Sequence, residues 1–399
     1  MSAEKKVPEI RFKGFSGDWL NNPIVEICGS TFGGGTPSTS EKSFWQGDIP
    51  WIQSSDLKEG SVNSVTVKKH ITKAGVNKSA TKLVSGNSIA IVTRVGVGKL
   101  SLMESEYTTS QDFLSLSDLK VDMQYSAYVI WKLLQIEKEQ VQGTSIKGIT
   151  KEELLSKTIS FPEAKLEQIA IGNTFQKLDC LINQHQQKHD KLSSIKKAML
   201  EKMFPKQGET TPEIRFKGFS KEWEEKVLSE NVTFINGRAY SQEELLDKGK
   251  YTVLRVGNFY TNSSWYYSDM ELGDKYYADY GDLLYTWSAS FGPHVWQGGK
   301  VIYHYHIWKL ELSENIDKLF LLHLLDYDRE KILSGSNGST MIHITKSAME
   351  AKKLFIPKKE EQTIIGNYFQ KLDTLISQHK IQITKLNNIK QACLSKMFV

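Results

Sequence analysis

The chain repeats itself, and the repeat restricts its architecture more than any other feature. Pro8-Glu9-Ile10-Arg11-Phe12-Lys13-Gly14-Phe15-Ser16, followed by Trp19, returns 204 residues later as Pro212-Glu213-Ile214-Arg215-Phe216-Lys217-Gly218-Phe219-Ser220 and Trp223. A second module runs from Glu167-Gln168 through Ile171-Gly172-Asn173, Phe175-Gln176-Lys177-Leu178-Asp179 and Leu181-Ile182 to Lys202-Met203-Phe204. It returns 194 residues later as Glu361-Gln362, Ile365-Gly366-Asn367, Phe369-Gln370-Lys371-Leu372-Asp373, Leu375-Ile376 and Lys396-Met397-Phe398. The offsets differ, so the material between the modules differs in length, and it differs heavily in sequence as well. Two constant frames therefore enclose two variable inserts. A unit of about 200 residues is far longer than the roughly 20–50 of a solenoid repeat, so it reads as a duplicated domain plus connector and predicts a pseudo-two-fold molecule.

The constant frame reads as a long helix. Between Glu163 and Phe204 there is no proline and Gly172 is the only glycine, while apolar side chains recur at Ile171, Phe175, Leu178, Ile182, Leu192, Ile195 and Met199. Steps of three and four predict an amphipathic helix. The second copy repeats the stripe at Ile365, Phe369, Leu372, Ile376, Ile383, Leu386, Ile389 and Met397. Sustained over about 40 residues, or about 60 Å, so narrow a stripe is what a coiled-coil seam requires. His185 and His379 stand at equivalent points on it and are expected to fix register rather than bind metal, since no carboxylate or thiol stands at ligand spacing in both copies. Pro162 and Pro357 are placed to interrupt a preceding strand.

The inserts read as mixed and strand-rich. Ser88-Ile89-Ala90-Ile91-Val92-Thr93 is a β-branched run bounded by Gly86-Asn87 and Gly96-Val97-Gly98, and Gly281-Asp282-Leu283-Leu284-Tyr285-Thr286-Trp287 answers it in the second insert. Each insert later carries Ile-Trp-Lys-Leu, at Ile130–Leu133 and Ile307–Leu310, which suggests a shared fold. The expected class is α+β, two similar strand-rich α/β domains with two long helices. The boundaries fall at 1–160 for the first domain, 161–210 for the central helix and linker, 211–356 for the second domain and 357–399 for the last helix. Loops in both inserts interleave aromatic rings with side chains able to read base edges, among them Gln53, Ser54, Arg94 and Lys99 in the first and Arg255, Asn258, Ser288 and Ser290 in the second.

Enzymatic machinery is not expected. A phosphate-binding loop needs glycine six residues before the lysine of its Gly-Lys pair, where Gly98-Lys99 has Thr93 and Gly299-Lys300 has His294. An adenine methyltransferase loop finds only Asn22-Pro23-Ile24, and Gly33-Gly34-Gly35 reads as a flexible turn. The nearest nuclease-like fragment, Pro162-Glu163-Ala164-Lys165, has no matching acid in Pro357-Lys358-Lys359 and reads as a helix start. His304-Tyr305-His306 reads as alternate residues of one strand face. Cys28, Cys180 and Cys393 lie too far apart for a zinc ribbon, so no metal site is expected. The net charge of +5 suits a polyanion without demanding one. With a charged start at Met1 to Arg11 and no run of 18 apolar residues, the chain is expected to be cytoplasmic, neither exported nor membrane-spanning.

A duplicated frame of Phe-Pro or Ile-Pro, then Glu-Gln, then Ile-Gly-Asn-x-Phe-x-x-Leu-Asp and a long helix resembles the specificity subunits of type I restriction-modification enzymes. The paired Pro-Glu-Ile-Arg-Phe-x-Gly-Phe openings add to the resemblance, which covers essentially the whole chain. It implies that each insert is a target-recognition domain binding half of a split double-stranded DNA site, and that the antiparallel helices act as the ruler between halves. It also implies two modification subunits and restriction subunits as partners, with S-adenosylmethionine, ATP and Mg2+ belonging to those partners and no cofactor in this chain. The alternatives are a self-contained DNA methyltransferase or nuclease with unrecognised motifs, and a coiled-coil protein scaffold.

Overall fold

In the computed structural model, residues 7–140, 148–206, 208–260, 262–288, 290–335 and 344–399 are described; Met1, the start of the charged segment, and Ala289 lie outside them. The chain divides into two units, residues 1–187 with 380–399, and residues 188–379.

The first unit contains strands β1 (Trp19–Pro23), β2 (Cys28–Gly33), β3 (Trp45–Ile52), β4 (Lys69–Ile71), β5 (Ser88–Val92), β6 (Leu100–Met103), β7 (Thr108–Thr109), β8 (Phe113–Leu119) and β9 (Thr158–Pro162). Its helices are α1 (Ile24–Ile27), α2 (Lys73–Asn77), α3 (Met123–Gln140), α4 (Lys151–Ser156) and the first part of α5 (Lys165–Met203). An antiparallel sheet in the order β2-β8-β5-β6 is covered on one face by α3 and on the other by a small mixed sheet, β4-β3-β7. That explains why every residue of β5 is buried and why the strand reads as a continuous apolar run: Ile89 and Ile91 face the helix side, Ala90 and Val92 the small sheet.

The second unit repeats the plan with β10 (Glu224–Val227), β11 (Val232–Asn236), β12 (Tyr251–Leu254), β13 (Tyr266–Ser268), β14 (Tyr277–Ala278), β15 (Leu283–Thr286), β16 (Gly292–Val295), β17 (Val301–Tyr303), β18 (Ile307–Leu312) and β19 (Lys353–Ile356). Helices α6 (Lys318–Gly335), α7 (Lys346–Glu350) and α8 (Lys359–Lys396) follow. The sheets are β11-β18-β15-β16 and β13-β12-β17-β14. Short ribbons, β1 with β9 and β10 with β19, end at Pro162 and just before Pro357. Among the described residues no helix is long and apolar enough to cross a membrane.

The repeated residues form one joint, built twice. Arg11 makes a bidentate pair with the buried Glu167 at 2.7 and 2.8 Å, and Arg215 does the same with Glu361 at 2.6 and 2.7 Å, so the opening module clamps the helix module. Gln168 accepts from the Asp122 amide and donates to the Pro162 carbonyl; Gln362 does both to Asp317 and Pro357. Asp122 and Asp317 in turn cap α3 and α6 by accepting from the amides of Tyr125 and Phe320. Gly172 is glycine because a Cβ there would sit 2.9 Å from the Tyr125 amide, and Gly366 because one would sit 2.7 Å from that of Phe320.

The stripe on the long helices is shared between two duties. Phe175 packs on Tyr128 of α3 as well as on Phe398, and Phe369 lies against His323 of α6 as well as Phe204, so a pure helix-to-helix seam is corrected to a three-way one. In the first unit Phe175 meets Phe398 while Asp179 meets Lys390, and in the second Phe369 meets Phe204 while Asp373 meets Lys196, which makes α5 and α8 antiparallel within each unit. Leu178 and Leu372 join the cores; Ile182, His185, Ile376 and His379 are half-buried outside them. Ile389 is 40% exposed, contrary to the expected stripe, and the adjacent Lys390 takes the inward position.

Three further expectations are corrected. Ile130–Leu133 lies within α3 whereas Ile307–Leu310 lies in β18, so this shared tetrapeptide marks no equivalence; the true counterparts are α3 with α6 and β8 with β18. Neighbours decide it: the first copy follows the Asp122 cap, the second sits in the alternating run Ile307 to Leu312. Gly33-Gly34-Gly35 is no loose turn, since a Cβ on Gly34 would collide with the Ser110 carbonyl and one on Gly35 with the Thr81 amide. His304-Tyr305-His306 forms the tight connection from β17 to β18 rather than a strand face, with the His304 and His306 rings 5.0 Å apart.

His323 makes stability pH-dependent. Both its ring nitrogens are buried without a hydrogen-bond partner among the described residues, and burial, with Lys196 nearby, pulls its pKa down to about 3 despite Asp373 at 3.9 Å. An unfolded histidine titrates near about 6.5. Between those values the unfolded chain binds a proton that the folded one refuses, so this stability is complete above the window and lost as pH falls through it. Chemical denaturation of His323→Phe is expected to show a flatter decline from about pH 6.5 downward; a decline as steep as the parent's would refute the assignment.

Candidate nucleic-acid interface

Each unit brings the same set of loops to one end of its small sheet, because that sheet contains a parallel pair. In the first unit β3 and β7 run parallel, Ile52 opposite Thr109, so Gln53 and Ser110 leave the sheet together, and Ser110 N–H donates to the Ile52 carbonyl at 2.9 Å. In the second, Leu254 of β12 is opposite Tyr303 of β17, and His304 N–H donates to the Leu254 carbonyl at 2.9 Å. Three more bonds repeat: Gly34 to Phe113 and Gly237 to Ile307, Thr93 to Asp112 and Trp287 to His306, Ile149 to Thr93 and Ile344 to Trp287. Gln53 is thereby equivalent to Arg255, Arg94 to Ser288 and Gln111 to Tyr305, an alignment the diverged insert sequences do not display.

The structure brings Gln53, Ser54, Arg94 and Lys99 to this end. Ser54 lies 3.7 Å from where a Cβ on Gly96 would stand, which sets the turn after β3 against the β5–β6 hairpin carrying Arg94 and Lys99. Arg94 is exposed and, with Gln111 and Thr150, lines a cleft of about 800 Å³. Lys99 is half-buried.

Arg255 is held rather than loose. Its guanidinium lies 4.1 Å over the Tyr266 ring, Nη2 donates to the Ser264 carbonyl at 3.4 Å, and Nε is buried with no partner among the described residues. Asn258 serves its own loop: its oxygen accepts from the Arg255 amide at 3.0 Å and its nitrogen donates to the carbonyls of Asn262 and Ser264. Asp56 does the first of these for Gln53 at 2.9 Å, so both side chains shape the turn that presents the preceding residue. Ser288 is half-buried and Ser290 exposed beside it.

Sequence reasoning passed over Gln111 and read His304, Tyr305 and His306 as a strand face rather than as part of this loop cluster. Tyr305 is 38% exposed, and its ring packs on His306 at 3.8 Å and on Trp287 at 6.0 Å. Burial, then His306 and Arg255, lowers the His304 pKa to about 4, so at neutral pH it is an uncharged donor and acceptor. The available signal was four consecutive hydrogen-bonding rings, Tyr303 to His306.

The comparisons with known proteins agree with this duplicated plan. The family model described as type I restriction modification DNA specificity domain matches residues 17–194 and again 220–388. The type I restriction enzyme MjaIX specificity subunit of Methanocaldococcus jannaschii is 24% identical over 95% of this chain and 92% of its own length. The EcoR124I/EcoR124II specificity subunit of Escherichia coli is 33% identical over 44% of each chain. In fold, the crystal structure of the type I restriction-modification S subunit from M. genitalium superposes with a TM-score of 0.66 at 17% identity, over 98% of this chain and 99% of that one. Two matches to one family model, in register with two copies of one joint and one loop cluster, make this chain a member of the DNA specificity subunit family of type I restriction-modification systems, whose task is target recognition rather than catalysis.

Proposed function

We propose that each unit reads one half of a bipartite duplex DNA site with its loop cluster, and that α5 and α8 set the spacing of the halves. The observation that carries this reading is the pairing of equivalent positions with different chemistry: Gln53 against Arg255, Arg94 against Ser288, Gln111 against Tyr305, on matching backbone bonds. A scaffold used twice with different base-reading groups addresses two different sequences. Two modification subunits, docked on the long helices, and the restriction subunits are the proposed partners; S-adenosylmethionine, ATP and Mg2+ would be bound by them, in the cytoplasm.

The test is methylome sequencing of cells expressing the assembled system with variants of this chain. Arg255→Ala is expected to lose roughly 1–3 kcal/mol of discrimination at one position of one half-site. A chimera with a foreign segment in place of about residues 20–160 is expected to change the other half-site alone. If the chimera assembles yet alters both halves, the two-address reading fails.

A further inference from the structure

The small sheet of the first unit differs in charge from its counterpart. From Ser61 to Met103 the chain contains no aspartate or glutamate and seven lysines and arginines, whereas the segment following β13 carries Asp269, Glu271 and Asp274. Register aligns the two sheets residue by residue. Lys69 lies opposite Trp51 and His70 opposite Pro50, as Tyr266 lies opposite Val253 and Tyr267 opposite Thr252. The strand that carries Lys69-His70 in the first unit therefore carries Tyr266-Tyr267 in the second.

These cations line a built cleft. A hollow of about 490 Å³ is walled by Thr39, Trp45, Gln46, Lys68, Lys69 and His70. The Trp45 and Trp51 rings meet edge to face at 5.1 Å, and the Lys69 ammonium stands 5.7 and 5.5 Å from their centroids, so the corner supports the lysine while its charge stays in water. Gln46, on the rim, has a φ of 63°, a left-handed conformation that costs a residue with a side chain, and the strand is irregular between Trp45 and Ile49. Of the acids nearby, Asp56 is buried and paired with Lys68 at 3.7 Å, Glu41 accepts from the hydroxyl of Ser43, and Asp48 is exposed on β3, so Asp56 offsets part of Lys68 while Lys69 has no acid paired with it among the described residues. Lys73, Lys78 and Lys82 extend the cationic surface, all exposed.

We propose that this cleft grips the phosphates of duplex DNA without regard to sequence, and that the grip belongs to the first unit alone. The inference rests on the DNA-reading role above. A grip of this kind anchors the complex electrostatically, leaving the second unit to contribute mainly base reading through its ring-lined loops.

The experiment uses the full chain assembled with its modification subunits, binding a target duplex and a random duplex of equal length, followed by fluorescence anisotropy from about 50 to about 200 mM salt. Lys68→Gln with Lys69→Gln is expected to make the slope of log affinity against log salt shallower by about one to two, since Asp56 already offsets part of Lys68, so that the parent loses roughly four- to tenfold more affinity than the variant across that range, equally on both duplexes. The methylated sequence is expected to stay the same. Lys68→Arg with Lys69→Arg should keep the parental slope, and so should Lys250→Gln in the second unit, where Lys250 is already paired with Glu271. An unchanged slope in the glutamine variant, or a loss confined to the target duplex with a shifted methylation sequence, overturns this proposal alone. Failure of the parent to bind either duplex at any salt would overturn the DNA-reading role beneath it.

Discussion

Replacing Lys390 by alanine is expected to destabilise the first unit by about 3–5 kcal/mol, as measured by chemical denaturation. Lys390 is 3% exposed, and its ammonium donates to Asp179 at 2.5 Å and to the Gly60 carbonyl at 2.9 Å while lying 5.1 Å from the centroid of the Trp131 ring. The other Asp179 oxygen accepts from the Tyr128 hydroxyl at 2.8 Å, and Asn63 donates to that hydroxyl at 3.2 Å. Truncating the lysine leaves a carboxylate with a tenth of its side chain exposed and no cation against it, the costly half of a broken buried pair. Removing both charges is a different experiment, and Lys390→Met with Asp179→Leu is expected to recover most of the loss. The repeat supplies an internal comparison. Lys196 occupies the equivalent place in the second unit, pairing with Asp373 at 2.6 Å and facing Asp326 at 3.7 Å, yet its side chain is 18% exposed. Water screens that pair more, so Lys196→Ala should cost distinctly less. Equal costs at the two sites would refute the weight placed on burial.

Lys390 also illustrates how far the sequence carries. Both long helices were legible from spacing alone, because a period of three and four sustained over so many residues without proline has no other regular solution. The same method went one residue astray at Ile389, since a count of apolar side chains skips a lysine whose stem can be buried and whose charge is matched from across the seam. The repeated modules announced that something was held in common without saying what. Arg11 and Glu167 are 156 residues apart, and only the fold brings them into contact.

The inserts were less legible for a related reason. The recurrence of Ile-Trp-Lys-Leu is a coincidence of letters, helix in α3 and strand in β18, and four apolar or amphipathic residues are too few to fix a period. The loop cluster owes its form to parallel pairing within each small sheet, a long-range contact that leaves no local pattern. Gln53, Arg94 and Arg255 could still be picked out as polar loop residues beside rings, but their equivalence to Arg255, Ser288 and Gln53 rests on backbone bonds alone. Gln111 was missed because a single polar residue before a strand carries no signal of its own, and Tyr305 because His304-Tyr305-His306 reads as a strand face.

Adding one helical turn to both long helices, after Gln187 in α5 and after His379 in α8, is expected to lengthen the spacer of the recognised site by one or two base pairs. The insertion points coincide with the division between the units, and α5 supplies Ile171 and Phe175 to one core and Leu200 and Met203, with Phe204 just past its end, to the other. Four residues extend a helix by about 6 Å, against about 3.4 Å per base pair of duplex. They also rotate it by about 400°, close to a full turn, so the apolar stripe beyond the insertion returns nearly to the face it left. Two residues instead rotate it by about 200°, which turns Leu192, Ile195 and Met199 away from the side they now pack on and should impair folding. Because the helices are antiparallel within each unit, a turn added to one alone would put one set of contacts, Lys390 on Asp179 or Lys196 on Asp373, out of register with the other, so only the paired insertion should keep both. Methylome sequencing reads the result directly: half-sites unchanged and spacer longer. An unchanged spacer with full methylation would assign the ruler to another element than the helices.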